Sequence, residues 1–348
     1  MEMAPILTIA IPTFNRADKL ERQLSRLVPL LGPEIRCAVY DNASTDGTAE
    51  VAAKFAERGV TYQRSPINLG IGRNLLRCFE TCETAWLWVL SDDDHFVDHA
   101  IEWVLGMVKT TDCDFIHTSS HLSHHAEETK HAGIEGLFDR VTLSALFWIS
   151  AGIYRMETLG AYLNVFASGV STWVPQTLMV LAGVESGNAR ILFSNEELIE
   201  SAPTTPRFST LDFIVRLVQA PEYLRREVSR SLVAEAVGKE HLRWALLTGL
   251  REVTRREDAI RWKRVAKQAP QFLSAYRPSS PWTRRMKRRF EAGQRKMTLE
   301  RFKSQLAIWA FRACPLTLFD SLLKHYPHPE WLRRELPVHG GKFAAPRY

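Results

Sequence analysis

Three adjacent aspartates, Asp92, Asp93 and Asp94, follow the apolar run AWLWVL after a single serine, and that run has the composition of a buried strand. Carboxylates this close repel one another, so the arrangement is unfavourable unless a cation binds between them or water screens them. Carboxylate oxygens suit Mg²⁺ or Mn²⁺, which also keep waters and anionic ligands in their coordination shell. The run therefore predicts either a divalent-cation site or a solvated acidic turn that caps a helix beginning near Asp98.

Three other polar segments carry residue types suited to an anionic or polar ligand. PTFNR leads into a helix, whose free N–H groups and dipole favour an anion, unless Thr13 or Asn15 simply caps that helix. YDNASTDGT places Asp41 after another apolar run, where its carboxylate can accept hydrogen bonds. NLGIGRN allows close backbone approach and offers the guanidinium of Arg73, which suits phosphate.

Apolar, β-branched runs alternate with amphipathic stretches over the first 120 residues, at the lengths of strands and helices. This alternation predicts βαβ units, and hence an α/β fold with a Rossmann-like, mostly parallel sheet covered by helices on both faces. Because parallel strands place their carboxyl ends at one edge of the sheet, the polar segments should meet there, where such folds bind ligands.

The segments ILTIAIPTFNR, VYDNASTDGT, NLGIGRN and LSDDDHF occur in the order and at the spacing of family 2 glycosyltransferases. The chain resembles that family well over residues 5–120, loosely over 121–200 and not at all over 201–348. The resemblance implies the GT-A fold. It also implies transfer of a sugar from a nucleoside-diphosphate sugar to a glycan acceptor, with a divalent cation, Mn²⁺ or Mg²⁺, as cofactor.

The same resemblance implies which residues bind the donor. The nucleotide-sugar-binding residues are then Pro12, Thr13, Asn15, Arg16, Asp41, Asn42, Ser44, Asn68, Gly70, Arg73, Ser91 and Asp92. Asp93 takes the metal-binding position, and Asp94 is a weaker candidate for the same ion. Ser91 stands where the family has its first acidic residue, which leaves the geometry of the metal site open.

Inverting members of the family carry an acceptor-side aspartate that deprotonates the acceptor hydroxyl. The resemblance places it in a stretch where this sequence has no Asp or Glu from Thr158 to Val184. We expect an inverting reaction but can assign no base. Four residues are candidates: His117, His121, Asp139 and Glu185. Two more are candidates for acceptor contacts, since an indole can stack on a sugar ring: Trp173 and Gln176.

The stretch HLSHHAEETKHAG, residues 121–133, is rich in histidine, and clustered histidines can indicate a zinc site. It is polar throughout and follows the last strand of the alternating region. We interpret it as a mobile loop rather than as a metal site.

The two parts of the chain carry opposite net charge. Residues 1–200 contain 15 Lys and Arg against 26 Asp and Glu, whereas residues 201–348 contain 30 against 13. Such a division indicates two functional surfaces, one for chemistry and one for an anionic partner. We predict a catalytic domain over residues 1–205, with its acceptor side in 121–205, and a basic helical domain over 206–348.

Within the basic domain, ten Lys and Arg and two Glu lie between Arg277 and Lys303, before an apolar stretch that contains tryptophan. This pattern favours a helix lying on an anionic membrane surface. The alternative is the solvated face of an ordinary helical domain. No nucleic-acid-binding module accompanies the charge, so we do not expect nucleic acid as a partner.

MEMAPILTIAIPTFNR lacks the basic start and the small-residue cleavage site of a signal peptide, so we expect none. No run reaches about 18 apolar residues, and the five cysteines are scattered as in reduced proteins. We predict a cytoplasmic enzyme at the cytoplasmic face of the inner membrane. Its acceptor would be a glycan, carried on a lipid, in bacterial O-antigen, capsule or lipooligosaccharide assembly. Two other functions stay open: a sugar nucleotidyltransferase, although IPTFNRADK lacks the Gly-rich phosphate loop of that class, and a non-catalytic glycan-binding protein. The sequence does not indicate the oligomeric state.

Overall fold

The computed structural model describes residues 4–120, 124–200, 216–217 and 219–237. The chain up to Thr204, together with Glu222–Arg230, belongs to one compact unit, which contains the sheet, and the remainder belongs to a second. Among the described residues, no helix is long and apolar enough to cross a membrane. The basic segment from Arg277 to Lys303 lies outside the described residues, so its membrane role and the predicted domain boundary remain predictions.

The strands of the described residues form one large sheet and one small one. Their bounds are β1 (Leu7–Thr13), β2 (Ile35–Asp41), β3 (Val60–Arg64), β4 (Trp86–Val89), β5 (His95–Phe96), β6 (Phe115–Ser119), β7 (Thr129–Ala132), β8 (Gly152–Arg155), β9 (Arg190–Glu197) and β10 (Ile199–Glu200). Within the described part of the chain, the large sheet has eight strands in the order β3-β2-β1-β4-β8-β6-β9-β7, and β5 pairs with β10.

Helices connect most of the strands that run in parallel. Their bounds are α1 (Ala17–Leu27), α2 (Thr48–Ala53), α3 (Ile71–Glu80), α4 (Ala100–Thr110), α5 (Met156–Leu159), α6 (Leu163–Ser168), α7 (Pro175–Glu185) and α8 (Glu227–Val237). In α1, Leu20, Leu24 and Leu27 form the buried stripe expected of an amphipathic helix, and the opposite side is polar. The Asp46 carboxylate caps α1, because it accepts a hydrogen bond from the backbone N–H of Ala17 at 3.0 Å.

The sheet is mostly parallel, as the alternating sequence predicts, and the expected α/β fold is confirmed. Strands β3, β2, β1 and β4 run in parallel, as do β6 and β9, whereas β8 and β7 are antiparallel to their neighbours. The central strands are buried almost continuously, with Ile9, Ile11, Val39 and Trp88 fully inaccessible. Burial of this kind follows from covering both faces of a parallel sheet with helices.

The strand order reverses at β1, which places a binding crevice beside that strand. The chain runs outward from β1 to β2 and β3, and then returns to the other side of β1 as β4. In doubly wound folds ligands bind at such a switch point, beyond the carboxyl ends of the strands.

The interpretation of residues 121–133 as a mobile loop is wrong for residues 129–132. Residues 129–132 form β7, which pairs with β9 at the edge of the sheet, and His125 is buried. The sequence TKHA is polar because an edge strand has one face in solvent, and this polarity conceals the pairing.

Candidate functional site

The polar segments meet at the carboxyl edge of the sheet, beside β1. The register aligns Thr13 of β1 with Asp41 of β2, and Asp41 with Arg64 of β3. Pro12 precedes this row and is aligned with Tyr40. The parallel pairing alone brings these residues together, since it sets the ends of the three strands side by side.

The Asp41 carboxylate is fully buried and satisfied by protein donors. Its Oδ1 accepts hydrogen bonds from the backbone N–H and the hydroxyl of Ser44, the former at 3.0 Å. Its Oδ2 accepts the Tyr62 hydroxyl at 2.7 Å and lies 3.3 Å from Nε of Arg64. Burial and the hydrogen bond to Asp41 raise the pKa of Tyr62, so the phenol stays protonated and keeps its donor role. Asp41 is thereby held rigidly at the end of β2.

Two asparagines join the loop after β2 to the loop before α3. The side-chain amide of Asn42 donates to Oδ1 of Asn68 at 2.7 Å and accepts from the backbone N–H of Leu69 at 2.9 Å. Gly70 adopts a left-handed φ of 80°, which favours glycine, and directly precedes α3. Arg73, in the first turn of α3, is exposed and makes no hydrogen bond or ion pair with any described residue. Its guanidinium is therefore available to a phosphate.

The backbone is strained next to this edge. Asn15 and Ala43 have φ values of 52° and 66°, in the left-handed region that non-glycine residues seldom occupy. Two hydrogen bonds stabilise this backbone conformation of Asn15. Its N–H donates to the hydroxyl of Ser44, and its side-chain oxygen accepts the N–H of Thr45. The side chains of Thr13 and Asn15 are thus engaged in tertiary contacts and do not cap α1, which answers the alternative raised from the sequence.

The acidic run extends the same edge beyond β4. Asp92 is 3% exposed; its Oδ2 accepts the Thr13 hydroxyl at 2.7 Å and its Oδ1 accepts Nη1 of Arg16 at 2.6 Å. Burial raises the pKa of Asp92, although Arg16 and Thr13 oppose that effect. Among the described contacts, no side chain caps α4, so the acidic run is not a cap for that helix.

Asp93 is more accessible and lies among cations. Its Oδ2 accepts Nζ of Lys19 at 2.7 Å and lies 3.1 Å from Nη1 of Arg16, while its Oδ1 accepts the Ser91 hydroxyl at 2.7 Å. Burial acts to raise the pKa of Asp93, but the hydrogen bonds from Lys19 and Ser91 outweigh it and lower that pKa. Asp93 is therefore ionised at neutral pH. Ser91, the departure from the family motif, orients this carboxylate.

One face of α1 follows the acidic run along its length, and three of its contacts, those of Lys19, Gln23 and Arg26, were not predicted from the sequence. After Arg16 and Lys19, the buried amide of Gln23 donates to the backbone oxygen of Ser91 at 3.2 Å, and Arg26 donates to that of Phe96 at 2.9 Å. The spacing of three, four and three residues is that of one helical face. This spacing was the available signal for Lys19 and Gln23.

Asp94 points towards the segment of residues 145–151. Its Oδ2 accepts the indole N–H of Trp148 at 2.8 Å. Two residues later, the Ser150 hydroxyl accepts the backbone N–H of Ser91 at 3.0 Å. The segment 145–151 is thereby attached to the acidic run, a contact between residues more than 50 positions apart that no sequence pattern indicates.

Helix α7 begins against the same segment. The side-chain N–H of Gln176 donates to the backbone oxygen of Phe147 at 3.0 Å, and Thr177 donates to that of Leu146 at 2.8 Å. Gln176 is 2% exposed, yet its Oε1 has no partner among the described residues. Trp173, three residues earlier, is half-buried and has a strained φ of 70°. The structure thus brings the candidate acceptor residue Gln176 next to segment 145–151.

Of the candidate bases, His117 contacts segment 145–151, since its Nε2 lies 3.3 Å from the backbone oxygen of Ala145. His117, in β6, is buried against His125, with Nδ1 and Nε2 2.9 Å apart, and burial lowers its pKa to about 4. Glu185 ends α7, where its carboxylate accepts the backbone N–H groups of Arg225 and Arg226 at 3.0 and 2.7 Å. Asp139 is exposed in a short turn after β7, and His121 lies outside the described residues.

A divalent cation would have one well-suited protein ligand here. Among the described residues, no three His, Cys, Asp or Glu side chains are grouped to hold a metal ion by themselves. Asp93 is ionised, partly exposed and an oxygen donor, which fits an ion that takes its remaining ligands from phosphates and water. The residues present therefore fit a metal held jointly by the protein and a diphosphate, with Lys19 and Arg16 close by.

Comparison with known proteins adds to this geometry. Residues 8–149 match the model of the family described as glycosyl transferase family 2. The chain is similar to abequosyltransferase RfbV of Salmonella typhimurium, with 22% identity over 276 residues that cover 70% of this chain and 83% of that protein.

Two solved structures share the fold at low sequence identity. The S. aureus TarS 1-349 structure has a TM-score of 0.57 at 14% identity and covers 78% of this chain and 87% of its own. The mannosyltransferase PcManGT of Pyrobaculum calidifontis, solved in complex with GDP-Man and Mn²⁺, has a TM-score of 0.51 at 13% identity. That match covers 92% of this chain and 87% of the other.

Proposed function

The chain contains a family 2 glycosyltransferase domain with the GT-A fold, and from this premise we propose which of its residues bind the donor, the metal and the acceptor. The reaction is transfer of a sugar from a nucleoside-diphosphate sugar to a glycan acceptor, assisted by a divalent cation. The observation that carries the proposal is the meeting of Thr13, Asp41 and Asp92 at the switch point of the sheet. Three polar groups from three strands converge there, which is how a doubly wound fold forms a nucleotide site.

In this proposal the nucleoside binds along the ends of β1 and β2. Asp92 accepts one hydrogen bond at each oxygen and can accept a further one from an N–H or O–H group of the nucleoside, while Asp41, satisfied by protein donors, positions the end of β2 beside it. Asn42 and Asn68 shape the wall between them, and the exposed guanidinium of Arg73 binds a phosphate oxygen. The donor class is supported by PcManGT, whose structure contains GDP-Man and shares this fold.

The metal position in this proposal is Asp93. The PcManGT structure contains Mn²⁺, and Asp93 lies on the rim next to the proposed ribose position. A bound Mn²⁺ or Mg²⁺ supplies charge neutralisation for the departing diphosphate. Asp93 binds the ion, and Ser91 holds the Asp93 carboxylate in place. Asp92 holds the nucleoside next to the ion.

The acceptor in this proposal lies over Trp148, Trp173 and Gln176. The side-chain oxygen of Gln176, unpartnered among the described residues, is a buried acceptor that a hydroxyl of a sugar would satisfy. The segment that Gln176 contacts is bonded to the acidic run, so an acceptor there would lie close to the departing diphosphate. An in-line attack from this side gives inversion at the anomeric carbon.

We extend the proposal to a lipid-linked acceptor and a cytoplasmic location at the inner membrane. Support comes from the basic composition of residues 201–348, since each Lys or Arg near an anionic bilayer contributes about 1 kcal/mol. The similarity to an abequosyltransferase supports bacterial surface-polysaccharide assembly as the setting.

The decisive experiment combines binding with turnover. The protein is screened by thermal shift against UDP, GDP, CDP and TDP with and without MnCl₂, because a ligand that binds only the folded state raises the melting temperature. The corresponding sugar nucleotides are then assayed for slow hydrolysis. Binding of a nucleoside diphosphate with hydrolysis of its sugar conjugate supports the proposal. Binding without any turnover favours the glycan-binding alternative, and turnover only with a nucleoside triphosphate and a sugar phosphate favours the nucleotidyltransferase.

A further inference from the structure

The acidic run carries its own counter-ions. Two of its three carboxylates, Asp92 and Asp93, pair with the protein cations Arg16 and Lys19 at distances of 2.6 to 3.1 Å. The mutual repulsion of the carboxylates is therefore relieved within the chain, without a metal ion. A metal ion that binds the same carboxylates must compete with these cations.

The two cations are not equivalent. Arg16 is anchored, because its Nη1 lies 2.6 Å from Oδ1 of the buried Asp92 as well as 3.1 Å from Asp93. The ammonium of Lys19 has Asp93 as its ion-pair partner among the described residues, on a flexible four-carbon chain that is 24% exposed. Lys19 can therefore move away from Asp93 without leaving a buried carboxylate unpaired, whereas Arg16 cannot leave without unpairing Asp92.

A divalent cation and the Lys19 ammonium compete for the same carboxylate. Both Asp93 oxygens already accept hydrogen bonds, from Lys19 and from Ser91. An ion bound at Asp93 would lie within a few ångströms of the ammonium and be repelled by it. A diphosphate changes this balance, since its oxygens can take up the ammonium while also binding the ion.

We propose that Lys19 is a built-in counter-ion of Asp93 that keeps divalent cations weakly bound until the donor's diphosphate draws the ammonium away. The inference rests on the proposed function and deepens it by assigning a role in binding order to a residue outside the donor and metal sets. Metal and nucleotide then bind with positive coupling, and by linkage each raises the affinity for the other by the same factor.

The test measures Mn²⁺ binding directly rather than activity. MnCl₂ is titrated into the full-length protein, and free Mn²⁺ is followed by its electron paramagnetic resonance signal, without nucleotide and with UDP, GDP or CDP. The variant is Lys19→Met, which removes the charge and keeps much of the side-chain length. The matched control is Lys54→Met, because Lys54 makes an ion pair of similar length, 2.6 Å to Glu21, on the solvent side of α1.

We expect Lys19→Met to bind Mn²⁺ without nucleotide on the order of tenfold more tightly than the wild type, as removal of a nearby, partly screened charge should. The extra affinity that a nucleoside diphosphate gives should shrink correspondingly. Lys54→Met should behave as the wild type, and Lys19→Arg should retain the weak binding. Circular dichroism confirms that each variant is folded.

The inference is overturned if Lys19→Met binds Mn²⁺ as the wild type does, or more weakly, while a nucleoside diphosphate still binds. If the diphosphates neither raise the melting temperature nor change Mn²⁺ affinity in any variant, the proposed function itself has failed. The two failures are thus distinguishable.

Discussion

The hydroxyl of Thr13 donates a hydrogen bond to Oδ2 of Asp92 at 2.7 Å, between residues 79 positions apart in the chain. This bond joins the end of β1 to the acidic run after β4, across the point where the strand order reverses. It also satisfies a carboxylate that is 3% exposed. A single side-chain contact therefore connects the proposed nucleotide position at Thr13 to the acidic run that contains the proposed metal ligand, Asp93.

Replacement of Thr13 by Val tests this link. The valine is isosteric but leaves the buried Asp92 oxygen without its donor, which should lower the free energy of unfolding by about 1–3 kcal/mol and weaken nucleotide binding. Urea denaturation and thermal shift with a nucleoside diphosphate measure the two effects. The control is Thr110→Val, because the Thr110 hydroxyl is exposed and bonds only within α4. Equal stability of the two variants would show that the Thr13 bond contributes little.

Replacement of Asp93 by Asn should separate catalysis from folding. The amide keeps the shape of the carboxylate but removes the charge that binds the metal, so metal-dependent turnover should fall by about 100-fold or more. Because Asp93 is at the rim and 15% exposed, the melting temperature should change by only a few degrees. Asp112→Asn is the control, since it removes an exposed carboxylate paired with Lys130. Full turnover in Asp93→Asn would contradict the metal assignment.

Replacement of Glu185 by Gln tests a candidate base. The Glu185 carboxylate accepts two backbone N–H groups just before α8, so we assign it a structural role. We expect a loss of about 1 kcal/mol in the free energy of unfolding and turnover within about twofold of the wild type. A loss of turnover by two orders of magnitude, at unchanged nucleotide affinity, would restore Glu185 as the base.

Replacement of Gln176 by Met tests the acceptor side. Methionine fills the same volume but removes the side-chain oxygen, so transfer to the acceptor should fall by about tenfold while donor hydrolysis is retained. Thr177→Val is matched, because Thr177 bonds the same segment through Leu146. If both variants lose transfer equally, loosening of segment 145–151 explains the effect and Gln176 has no direct role.

The buried histidine pair predicts loss of stability in acid. The pKa of His117 is about 4 in the folded protein, below its ordinary value of 6.5, because burial disfavours the charged imidazole. The unfolded chain therefore binds more protons, and stability that is complete above pH 6.5 is lost as the pH falls towards 4. The full effect corresponds to about 3 kcal/mol. Melting curves from about pH 7.5 to about pH 4.5 measure it.

The control for this pH dependence is a second histidine variant. His117→Gln should flatten the loss of stability between about pH 6.5 and about pH 4.5, although it lowers stability at neutral pH. His99→Gln should not flatten it, because His99 is exposed. Identical pH profiles for all three proteins would contradict the role assigned to His117.

Much of the fold could be predicted because it depends on local patterns. The runs around Ile9, Val39 and Trp88 are apolar and β-branched or aromatic, and helical spacing marks the leucines of α1, so the order of strands and helices follows from the sequence. The antiparallel edge strand β7 was missed. Its residues TKHA carry no apolar alternation, since the strand is defined by pairing with β9 rather than by burial.

The site was predictable in part for the same reason. Thr13, Asp41 and Asp92 each follow a recognisable strand, and parallel strands end at one edge, so their meeting could be inferred. Lys19 and Gln23 were missed because a polar helix face resembles an ordinary solvated one until its neighbour is known. Their roles, like those of all the site residues, remain predictions.

Local sequence determines which segments become strands, which residues end them, and that three aspartates lie together after β4. Only the tertiary structure decided what neutralises those aspartates, because Arg16 and Lys19 reach them across more than 70 positions of the chain. It also decided that Glu185 binds the backbone just before α8 and that Trp148 donates to Asp94. Side-chain partners depend on which elements pack together, and packing is a property of the whole sheet rather than of any segment.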